Sequence, residues 1–196
     1  MLHNVQNLKH DIIFSDSLKG HAFTFHSTWG LFSPERIDEG TRMLVESLEI
    51  PPAPYTALDL GCGYGAIGLT LAQSSPPSTV HMVDKDFVAI EYAQKNAECN
   101  HANNCRIYLS NGMSHVPPST SFDIIVSNLP AKVSNEFYEI IFSDALQRLS
   151  RDGMLYVVTI SGLREYIKRT FIRIFGNYRK VRQSARYAVA VANMKP

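Results

Sequence analysis

Residues 58–68 read "LDLGCGYGAIG", and this short stretch decides the fold of the 196-residue chain. An apolar strand signal ends at Leu60, glycines alternate with other residues just after it, and a helix signal begins at about Ala66. Because glycine carries no side chain, ligand atoms could come close to the backbone N–H groups of such a turn. The stretch therefore predicts a nucleotide-type loop between a buried strand and a helix. The loop residues concerned are Gly61, Cys62, Gly63 and Gly65.

Strand and helix signals alternate along the chain after this loop. They are a helix at 66–73, the strand "TVHMVD", a helix at 86–100, the strands "CRIYLS" and "FDIIVS", a helix at 135–149, the strand "MLYVVTI" and a helix at 161–175. This order is typical of a parallel sheet with helices on both faces. Two further strand signals, "NYRKVRQ" and "ARYAVAVANM", follow without a clear helix between them. We therefore predict an α/β fold with a Rossmann-like, mostly parallel sheet of seven strands and an antiparallel pair at its C-terminal edge.

Residues 1–50 predict an extension that packs on this sheet. The segments "DIIF" and "HAFTFHS" flank the turn-like "SDSLKG", which indicates a hairpin. The segment "SPERIDEGTRMLVESLEI" predicts a helix with Ser33 as its N-cap, Pro34 at its first position and Glu35 in its first turn. A proline-rich stretch ends that helix. Residues 51–196 would then form the main domain, in one structural unit with the extension.

Composition excludes several classes of protein. An apolar content of 45% is ample for one buried core. The three cysteines, Cys62, Cys99 and Cys105, form neither a disulfide framework nor a Cys-x-x-Cys pair, which fits a reducing cytoplasm. The chain has no signal-peptide pattern and no run of about 18 apolar residues, so we predict a cytoplasmic protein without membrane association. The seven histidines form no metal-ligand pattern, and we predict no metal.

The net charge of +1 conceals an uneven distribution. Residues 1–163 have a net charge of −7, whereas residues 164–186 have a net charge of +7. Such a basic segment could follow the phosphates of a nucleic acid. Its apolar residues also form the stripe of an amphipathic helix, whose charges would then be only its solvated face. Both interpretations stay open. The basic residues are Arg164, Lys168, Arg169, Arg173, Arg179, Lys180, Arg182 and Arg186.

The charge of Asp59 bears on what the glycine loop holds. Residues 63–68 also spell G-x-G-x-x-G, a pattern of dinucleotide-binding loops, so an NAD-binding domain is an alternative. A carboxylate just before the first glycine would repel a pyrophosphate, but it could hold the ammonium of a cationic amino-acid ligand, directly or through water. S-adenosylmethionine (SAM) carries such a group, and SAM is the predicted cofactor.

Polar residues also follow the next two strand signals. Asp84 lies 19 residues after Gly65 and could accept hydrogen bonds from ribose hydroxyls. The amide of Asn111 could meet an adenine edge. Simple N-cap or turn roles are the alternatives for both. Because open α/β sheets bind ligands at the carboxyl ends of successive strands, we favour a cofactor site, which includes the adjoining Lys85 and Gly112.

Together these features resemble the class I SAM-dependent methyltransferases, particularly the small-domain group that includes ribosomal RNA guanine-N2 methyltransferases. The resemblance covers roughly residues 20–193. It includes "FTFHSTWGLFSPERIDEGTRMLVESL", which is similar to that group's Phe, Gly-x-Phe-Ser and Asp-x-Gly-Thr segment. The resemblance implies that this segment folds over the cofactor side of the sheet. It also implies roles near SAM for Phe32, Asp38, Gly40 and Thr41.

The segment "SNLPAK", residues 127–132, aligns by this resemblance with the family's Asn-Pro-Pro-aromatic motif. An exocyclic amine is a poor nucleophile, and an amide oxygen with a backbone carbonyl can hold its hydrogens and aim its lone pair. Asn128 would supply the amide, Leu129 the carbonyl, and Pro130 would fix the turn. These are the predicted catalytic residues, although a purely structural turn is the alternative.

Ala131 departs from the motif because many base-amine enzymes place a stacking aromatic ring there. Phe32, Trp29 or Phe137 could stack instead. The prediction is a SAM-dependent methyltransferase that acts on an exocyclic guanine amine in ribosomal RNA, with RNA or a ribosomal subunit as its partner. The alternatives are methylation of a protein side-chain amide or small amine, and a SAM-binding RNA adaptor or partner-dependent subunit.

Overall fold

The computed structural model describes residues 10–194, within which the chain forms nine strands and five α-helices. The strands are β1 (Ile12–Leu18), β2 (His21–Ser27), β3 (Thr56–Leu60), β4 (Thr79–Asp84), β5 (Cys105–Leu109), β6 (Phe122–Asn128), β7 (Leu149–Ile160), β8 (Arg179–Gln183) and β9 (Tyr187–Asn193). The helices are α1 (Glu39–Ser47), α2 (Ala66–Ser74), α3 (Phe87–Cys99), α4 (Asn135–Arg148) and α5 (Arg164–Phe175), with a short 3₁₀ helix at Ser161–Leu163. The first nine residues of the predicted extension lie outside the described range.

Seven strands form one sheet in the order β5-β4-β3-β6-β7-β9-β8. The pairs from β5 to β7 are parallel, whereas β9 runs antiparallel to both of its neighbours. Parallel neighbours need crossover connections, which the helices between them provide. The predicted fold class, including the antiparallel C-terminal pair, is therefore confirmed.

Alternation along the central strands places side chains on two separate hydrophobic cores. Ala57 and Ile124 belong to the core that also contains residues of α1, α2, α3 and the hairpin. Leu58 and Ile125 belong to the core under α4 and α5. Neighbouring strand residues point to opposite faces, so each strand residue serves one core only. The sheet is covered on both faces, as its near-continuous apolar strands require.

The hairpin of β1 and β2 turns tightly through two residues. Lys19 and Gly20 both have positive φ values, 48° and 82°, which is typical of the type I′ turn that matches strand twist. The hairpin was predicted correctly, but its turn is shorter than "SDSLKG", because residues 15–18 belong to β1. Leu18 and the β2 residues Phe23 and Phe25 lie in the same core as α2 and α3.

Asn96 in α3 and Asn100, the C-cap of that helix, bind the free backbone edge of β2. The Asn96 amide accepts from the His26 N–H (2.7 Å) and donates to the carbonyls of His26 and Tyr64, both at 2.9 Å. Asn100 accepts from the Thr24 N–H (3.0 Å) and donates to the Thr24 carbonyl (2.8 Å). These amides satisfy groups that a further strand would otherwise pair. They attach the hairpin to α3, and Asn96 also joins it to Tyr64 in the glycine loop.

The predicted start of the helix after the hairpin was wrong. Helix α1 begins at Glu39, and Asp38 is its N-cap, with a carboxylate oxygen that accepts from the Thr41 N–H at 3.1 Å. Ser33 has a φ of 50°, and its hydroxyl donates to the Arg36 carbonyl at 2.7 Å. The segment at 33–38, including Pro34 and Glu35, is therefore a loop that precedes the helix. Leu31 and Ile37 are buried and anchor this loop at both ends.

Candidate active site

A cavity of about 520 Å³ opens at the carboxyl ends of the parallel strands. The ends of four strands contribute Leu60, Asp84, Asn128 and Ile160 to its wall. Its volume suits a small-molecule or cofactor site, and its position is where open α/β sheets bind ligands. The predicted site residues that line it are Phe32, Asp38, Thr41, Gly61, Cys62, Gly63, Asp84, Lys85, Asn111, Gly112, Asn128, Leu129 and Pro130.

The glycine loop forms one wall of this cavity. Gly63 has a φ of 55°, and a side chain at this position would meet no atom within 4 Å, so the backbone is open to a ligand. Gly65, with a φ of 100°, has a different role, because an added Cβ would lie 2.7 Å from the Met82 side chain. Gly65 lets the start of α2 pack closely on β4 and is not among the cavity-lining residues.

The backbone N–H groups of the loop are largely satisfied within the protein. Those of Gly61 and Cys62 donate to the Val83 carbonyl at 2.9 and 3.0 Å, and that of Gly63 donates to an Asp84 carboxylate oxygen at 2.9 Å. A ligand that comes close to Gly61, Cys62 or Gly63 would therefore meet N–H groups that already have partners in the protein. The glycine loop lets a ligand come close to the backbone, and the carboxylate of Asp84 places a negative charge at the cavity wall.

Asp84 joins the loop to the start of α3. One carboxylate oxygen accepts from Gly63, and the other accepts from the Asp86 N–H at 3.0 Å. Each oxygen keeps a further acceptor site, and Asp84 is half-buried at the cavity wall. Asp86 in turn is the N-cap of α3, so Asp84 is not an N-cap, whereas its bond to the Asp86 N–H is the turn contact of the predicted alternative.

Asp59 is fully buried and does not line the cavity. One of its oxygens accepts from the Gly68 N–H at 2.7 Å, and the other has no hydrogen-bond partner among residues 10–194. Burial raises the pKa of Asp59 to about 7, and the nearby charge of Asp84 acts in the same direction. The carboxyl group holds the start of α2, and a direct contact with a ligand ammonium has no support in this geometry.

Asn111 and Gly112 lie in the turn after β5. Gly112 has a φ of 57°, and its carbonyl accepts from the Ser110 hydroxyl at 2.8 Å. The same hydroxyl accepts from the His115 N–H at 3.1 Å. Because Ser110 closes this turn, the exposed side chain of Asn111 is left at the cavity wall.

The side-chain amide of Asn128 is held by two residues at the start of α1. Its Nδ2 donates to the hydroxyl oxygen of Thr41 at 2.8 Å and to a carboxylate oxygen of Asp38 at 3.3 Å. A carboxylate accepts but does not donate, so the amide nitrogen must lie on this side. Both contacts therefore come from the amide nitrogen, on the side of Asn128 that faces α1. The carbonyl oxygen of Asn128 is then the atom that it offers to a ligand.

The residues after Asn128 form a fixed turn. The Leu129 N–H donates to the Val158 carbonyl at 3.0 Å, and the Leu129 side chain is buried. The Pro130 carbonyl accepts from the Tyr138 hydroxyl at 2.6 Å. Strand β7 and helix α4 thus hold the turn from both sides.

Two of the three aromatic candidates for stacking line the cavity. Phe32 is 68% exposed, and Phe137 is half-buried. Trp29 is exposed, but it is not part of the cavity wall. Ala131 does line the cavity, so the position where the family motif carries its ring is open here.

Sequence reasoning missed Tyr187, which lines the cavity and donates from its hydroxyl to Asp38 at 2.9 Å. Tyr187 is the first residue of β9 and pairs with Ile160, the last residue of β7. The predicted antiparallel pair at the C-terminal edge could have indicated that Tyr187 lies near the site. A strand that runs antiparallel to β7 must begin at the edge where β7 ends, beside the cavity.

The basic segment at 164–186 divides into two parts. The arginines in and near β8 face glutamates in α1 and just after it, with nitrogen–oxygen distances of 2.9 Å for Arg182–Glu46, 3.0 Å for Arg179–Glu49 and 3.7 Å for Arg186–Glu39. On α5, Lys168 and Arg169 are exposed and form no ion pair within the described range. The β8 part is therefore largely an internal charge pairing, whereas α5 keeps unpaired positive charge.

Among the described residues we looked for a membrane-spanning helix and for a group of metal ligands. No helix there is long and apolar enough to cross a membrane. Between residues 10 and 194, no three His, Cys, Asp or Glu side chains are grouped so as to hold a metal ion.

Comparisons with known proteins agree with this geometry. The family model described as methyltransferase small domain matches residues 22–191. An uncharacterized Bacillus subtilis protein, YbxB, is 37% identical over 145 residues, which are 74% of this chain and 72% of that protein. Ribosomal RNA small subunit methyltransferase C of Hamiltonella defensa is 33% identical over 169 residues, which are 84% of this chain and 48% of that enzyme.

A solved structure is also similar. The T. thermophilus 16S rRNA N2 G1207 methyltransferase, RsmC, in complex with AdoMet and guanosine, superposes with a TM-score of 0.84 at 27% identity. The match covers 92% of this chain and 50% of that one. The chain thus spans about half the length of the ribosomal RNA methyltransferases that it matches. The match over residues 22–191 and the 37% identity to the Bacillus protein confirm the family predicted from sequence, and the chain belongs to the methyltransferase small domain family of SAM-dependent enzymes.

Proposed function

We propose that the protein methylates an exocyclic guanine amine in ribosomal RNA, with SAM as the methyl donor. The observation that carries this proposal is the orientation of Asn128, whose amide nitrogen donates to Thr41 and Asp38. Because the nitrogen faces α1, Asn128 presents its side-chain carbonyl to a ligand, and this carbonyl selects a substrate group that donates a hydrogen bond. An exocyclic amine meets this requirement. The guanosine bound by the T. thermophilus enzyme carries such an amine.

The cavity residues fit the proposed cofactor. The open backbone at Gly63 admits ligand atoms, the Asp84 carboxylate can accept from ribose hydroxyls, and Asn111 can pair with an adenine edge. When bound, SAM supplies a methyl group on a positively charged sulfur. Asp59 does not contact the cavity, but it stabilises the glycine-loop wall because its carboxyl group accepts from Gly68 at the start of α2.

The protein's own task is then to orient the acceptor nitrogen. The Asn128 side-chain carbonyl and the Leu129 backbone carbonyl can hold two amine hydrogens, which directs the nitrogen lone pair away from both oxygens and towards the cofactor side. Positive charge that develops on nitrogen is stabilised by the same two dipoles. The turn is held by Val158 and Tyr138, so the carbonyls are in place before the acceptor arrives.

Phe32 is the residue that we propose for stacking on the guanine ring. It lines the cavity, its ring is 68% exposed, and the loop that carries it is anchored by buried Leu31 and Ile37. Stacking of a base on an aromatic side chain contributes about 1–3 kcal/mol. A ring at Phe32 would replace the one that the family motif places at Ala131.

The exposed cations of α5 are proposed to contact RNA phosphates. Replacing Lys168 and Arg169 by Gln should weaken RNA binding and lower the slope of log affinity against log salt by about 2. The matched control replaces Arg179 and Arg182, whose charges face glutamates. An equal loss of RNA affinity in the two double variants would contradict a specific role for α5.

We also propose that the protein is cytoplasmic.

The test of function is to incubate the protein with labelled SAM and, separately, deproteinised RNA, intact ribosomal subunits and cell-extract protein. Mass spectrometry then identifies the modified molecule. We expect label in guanine of ribosomal RNA. Label in a protein side-chain amide would support the amide-methylating alternative, and SAM binding without any transfer would support an adaptor or a partner-dependent subunit.

Asn128→Ala tests the role of the acceptor-holding amide. We expect turnover to fall by about 100-fold or more, as for the loss of one oriented charge-stabilising group, while SAM affinity measured by calorimetry is retained. Asn177→Ala is the control, because its amide binds the carbonyls of Phe175 and Asn193 and does not line the cavity. Unchanged turnover in Asn128→Ala would refute the proposed role.

A further inference from the structure

Tyr187 lies at the end of a chain of hydrogen bonds that leads to Asn128. Its hydroxyl donates to one carboxylate oxygen of Asp38 at 2.9 Å. The other oxygen of Asp38 accepts from the Thr41 N–H at 3.1 Å and from Asn128 Nδ2 at 3.3 Å. The chain connects the first residue of β9, the N-cap of α1 and the last residue of β6.

We infer that Tyr187 is a positioning residue that fixes the carboxylate of Asp38 and thereby the orientation of the Asn128 amide. This inference rests on the proposed function, in which the Asn128 carbonyl holds the acceptor amine. Rotation of the amide by 180° would present an N–H group to that amine, and two donors would then face each other. The contact that prevents this rotation most strictly is the one to Asp38, because a carboxylate accepts only, whereas the hydroxyl of Thr41 could also donate.

The geometry of Asp38 shows why Tyr187 matters to it. Asp38 is only half-buried, so its side chain is not fixed by packing alone. The Tyr187 hydroxyl satisfies the oxygen that Thr41 and Asn128 do not use. Burial and the bond to Asp38 both raise the pKa of Tyr187, so its hydroxyl keeps the proton that it donates.

Gly40 gives independent evidence that the position of Tyr187 is constrained. A Cβ at residue 40 would lie 2.8 Å from Cδ1 of the Tyr187 ring and 2.9 Å from the Asp38 carboxylate. Such distances are too short for an unmoved ring. The absence of a side chain at Gly40 thus allows the tyrosine ring to lie against α1 and its hydroxyl to reach Asp38. Substitution of Gly40 is therefore a second way to disturb the hydrogen bond between Tyr187 and Asp38.

The first test needs no acceptor. The side-chain NH₂ signals of Asn128 are followed by NMR and assigned by their loss in Asn128→Ala. We expect both signals to shift in Tyr187→Phe, which keeps the ring but removes the hydroxyl, and in Gly40→Ala, whose added Cβ would meet both the Tyr187 ring and the Asp38 carboxylate. Tyr108→Phe is the matched control, because its half-buried hydroxyl bonds to His81 at 2.8 Å away from the cavity wall. The control should leave the Asn128 signals unchanged.

The second test uses methyl transfer to the acceptor identified for the wild type. Tyr187→Phe should lower kcat by about tenfold, as expected for a misaligned reactant, with SAM affinity and melting temperature close to the wild-type values. Asn128 signals that stay unchanged in both Tyr187→Phe and Gly40→Ala would overturn the inference, as would an unchanged kcat. Shifted signals in a protein without transfer to RNA would leave the positioning role standing and reject the proposed substrate.

Discussion

Replacing Asp59 by Asn should make the protein more stable at neutral pH, although it alters a fully buried group in the glycine-loop region. The ordinary pKa of this carboxyl is 3.8, and burial raises it to about 7 in the folded protein. The folded state therefore binds the proton more tightly than the unfolded state does. The contribution of Asp59 to stability is greatest below pH 3.8, and it is lost progressively as pH rises towards 7.

The size of this effect follows from the shift. About three pKa units at 1.36 kcal/mol per unit give about 4 kcal/mol between pH 4 and pH 8. The side-chain amide introduced by Asp59→Asn would keep an oxygen for the Gly68 N–H, and it would carry no charge at any pH. We expect this variant to match the wild type within about 1 kcal/mol at pH 4.5 and to exceed it by up to about 4 kcal/mol at pH 8.

Urea unfolding of both proteins at several pH values measures this difference. Subtracting the wild-type free energy of unfolding from that of the variant removes the contributions of other titrating groups, such as His81, whose pKa burial lowers. SAM affinity at pH 8 should change little if Asp59 acts only through α2. A stability difference that does not vary between pH 4.5 and pH 8 would refute the reasoning.

Two further variants test the extension and the stacking residue. Asn96→Ala should lower the free energy of unfolding by about 3 kcal/mol in urea titrations, since three backbone groups of the hairpin and glycine loop lose their partners at about 1 kcal/mol each; a loss below about 1 kcal/mol would contradict it. Phe32→Ala should raise KM for RNA about tenfold or more, with SAM affinity retained. A larger effect of Phe137→Ala would assign the stacking to that residue instead.

The fold was predictable because its signals are local and agree with each other. The apolar strand ending at Leu60, the glycines after it and the helix from Ala66 define one unit. The order of the following elements then restricts the topology, because parallel strands need crossover helices. The tight turn at Lys19 and Gly20 was harder to locate, since Lys19 is an unusual residue at positive φ.

The prediction of where α1 begins was wrong because tertiary contacts decide that position. Ser33 and Pro34 form a good N-terminal pattern, but burial of Leu31 and Ile37 draws the intervening chain into a loop over the cavity. The competing N-cap, Asp38, accepts a hydrogen bond from the Thr41 N–H. Its carboxylate also accepts from Asn128 in β6 and from Tyr187 in β9. Sequence alone does not weigh partners that lie 90 and 149 residues away along the chain.

The placement of Asp59 could have been found from alternation along β3. Leu58 and Leu60 belong to the core under α4 and α5, whereas Ala57 belongs to the core on the other face. A residue between Leu58 and Leu60 must point to the Ala57 face. That face is covered by α2, which explains why Asp59 bonds to Gly68 and does not reach the cavity.

The predicted boundary at residue 50 separates groups that the site brings together. Asp38 and Thr41, which hold the Asn128 amide, lie before that boundary, and Tyr187 lies near the other end of the chain. A fragment of residues 51–196 would keep the glycine loop but leave the amide nitrogen of Asn128 without these partners. In the proposed function, the cofactor contacts at Gly63, Asp84 and Asn111 lie at the ends of the central strands, whereas the hold on Asn128 depends on the extension and on β9. Changes in the extension should consequently affect acceptor positioning more than SAM binding.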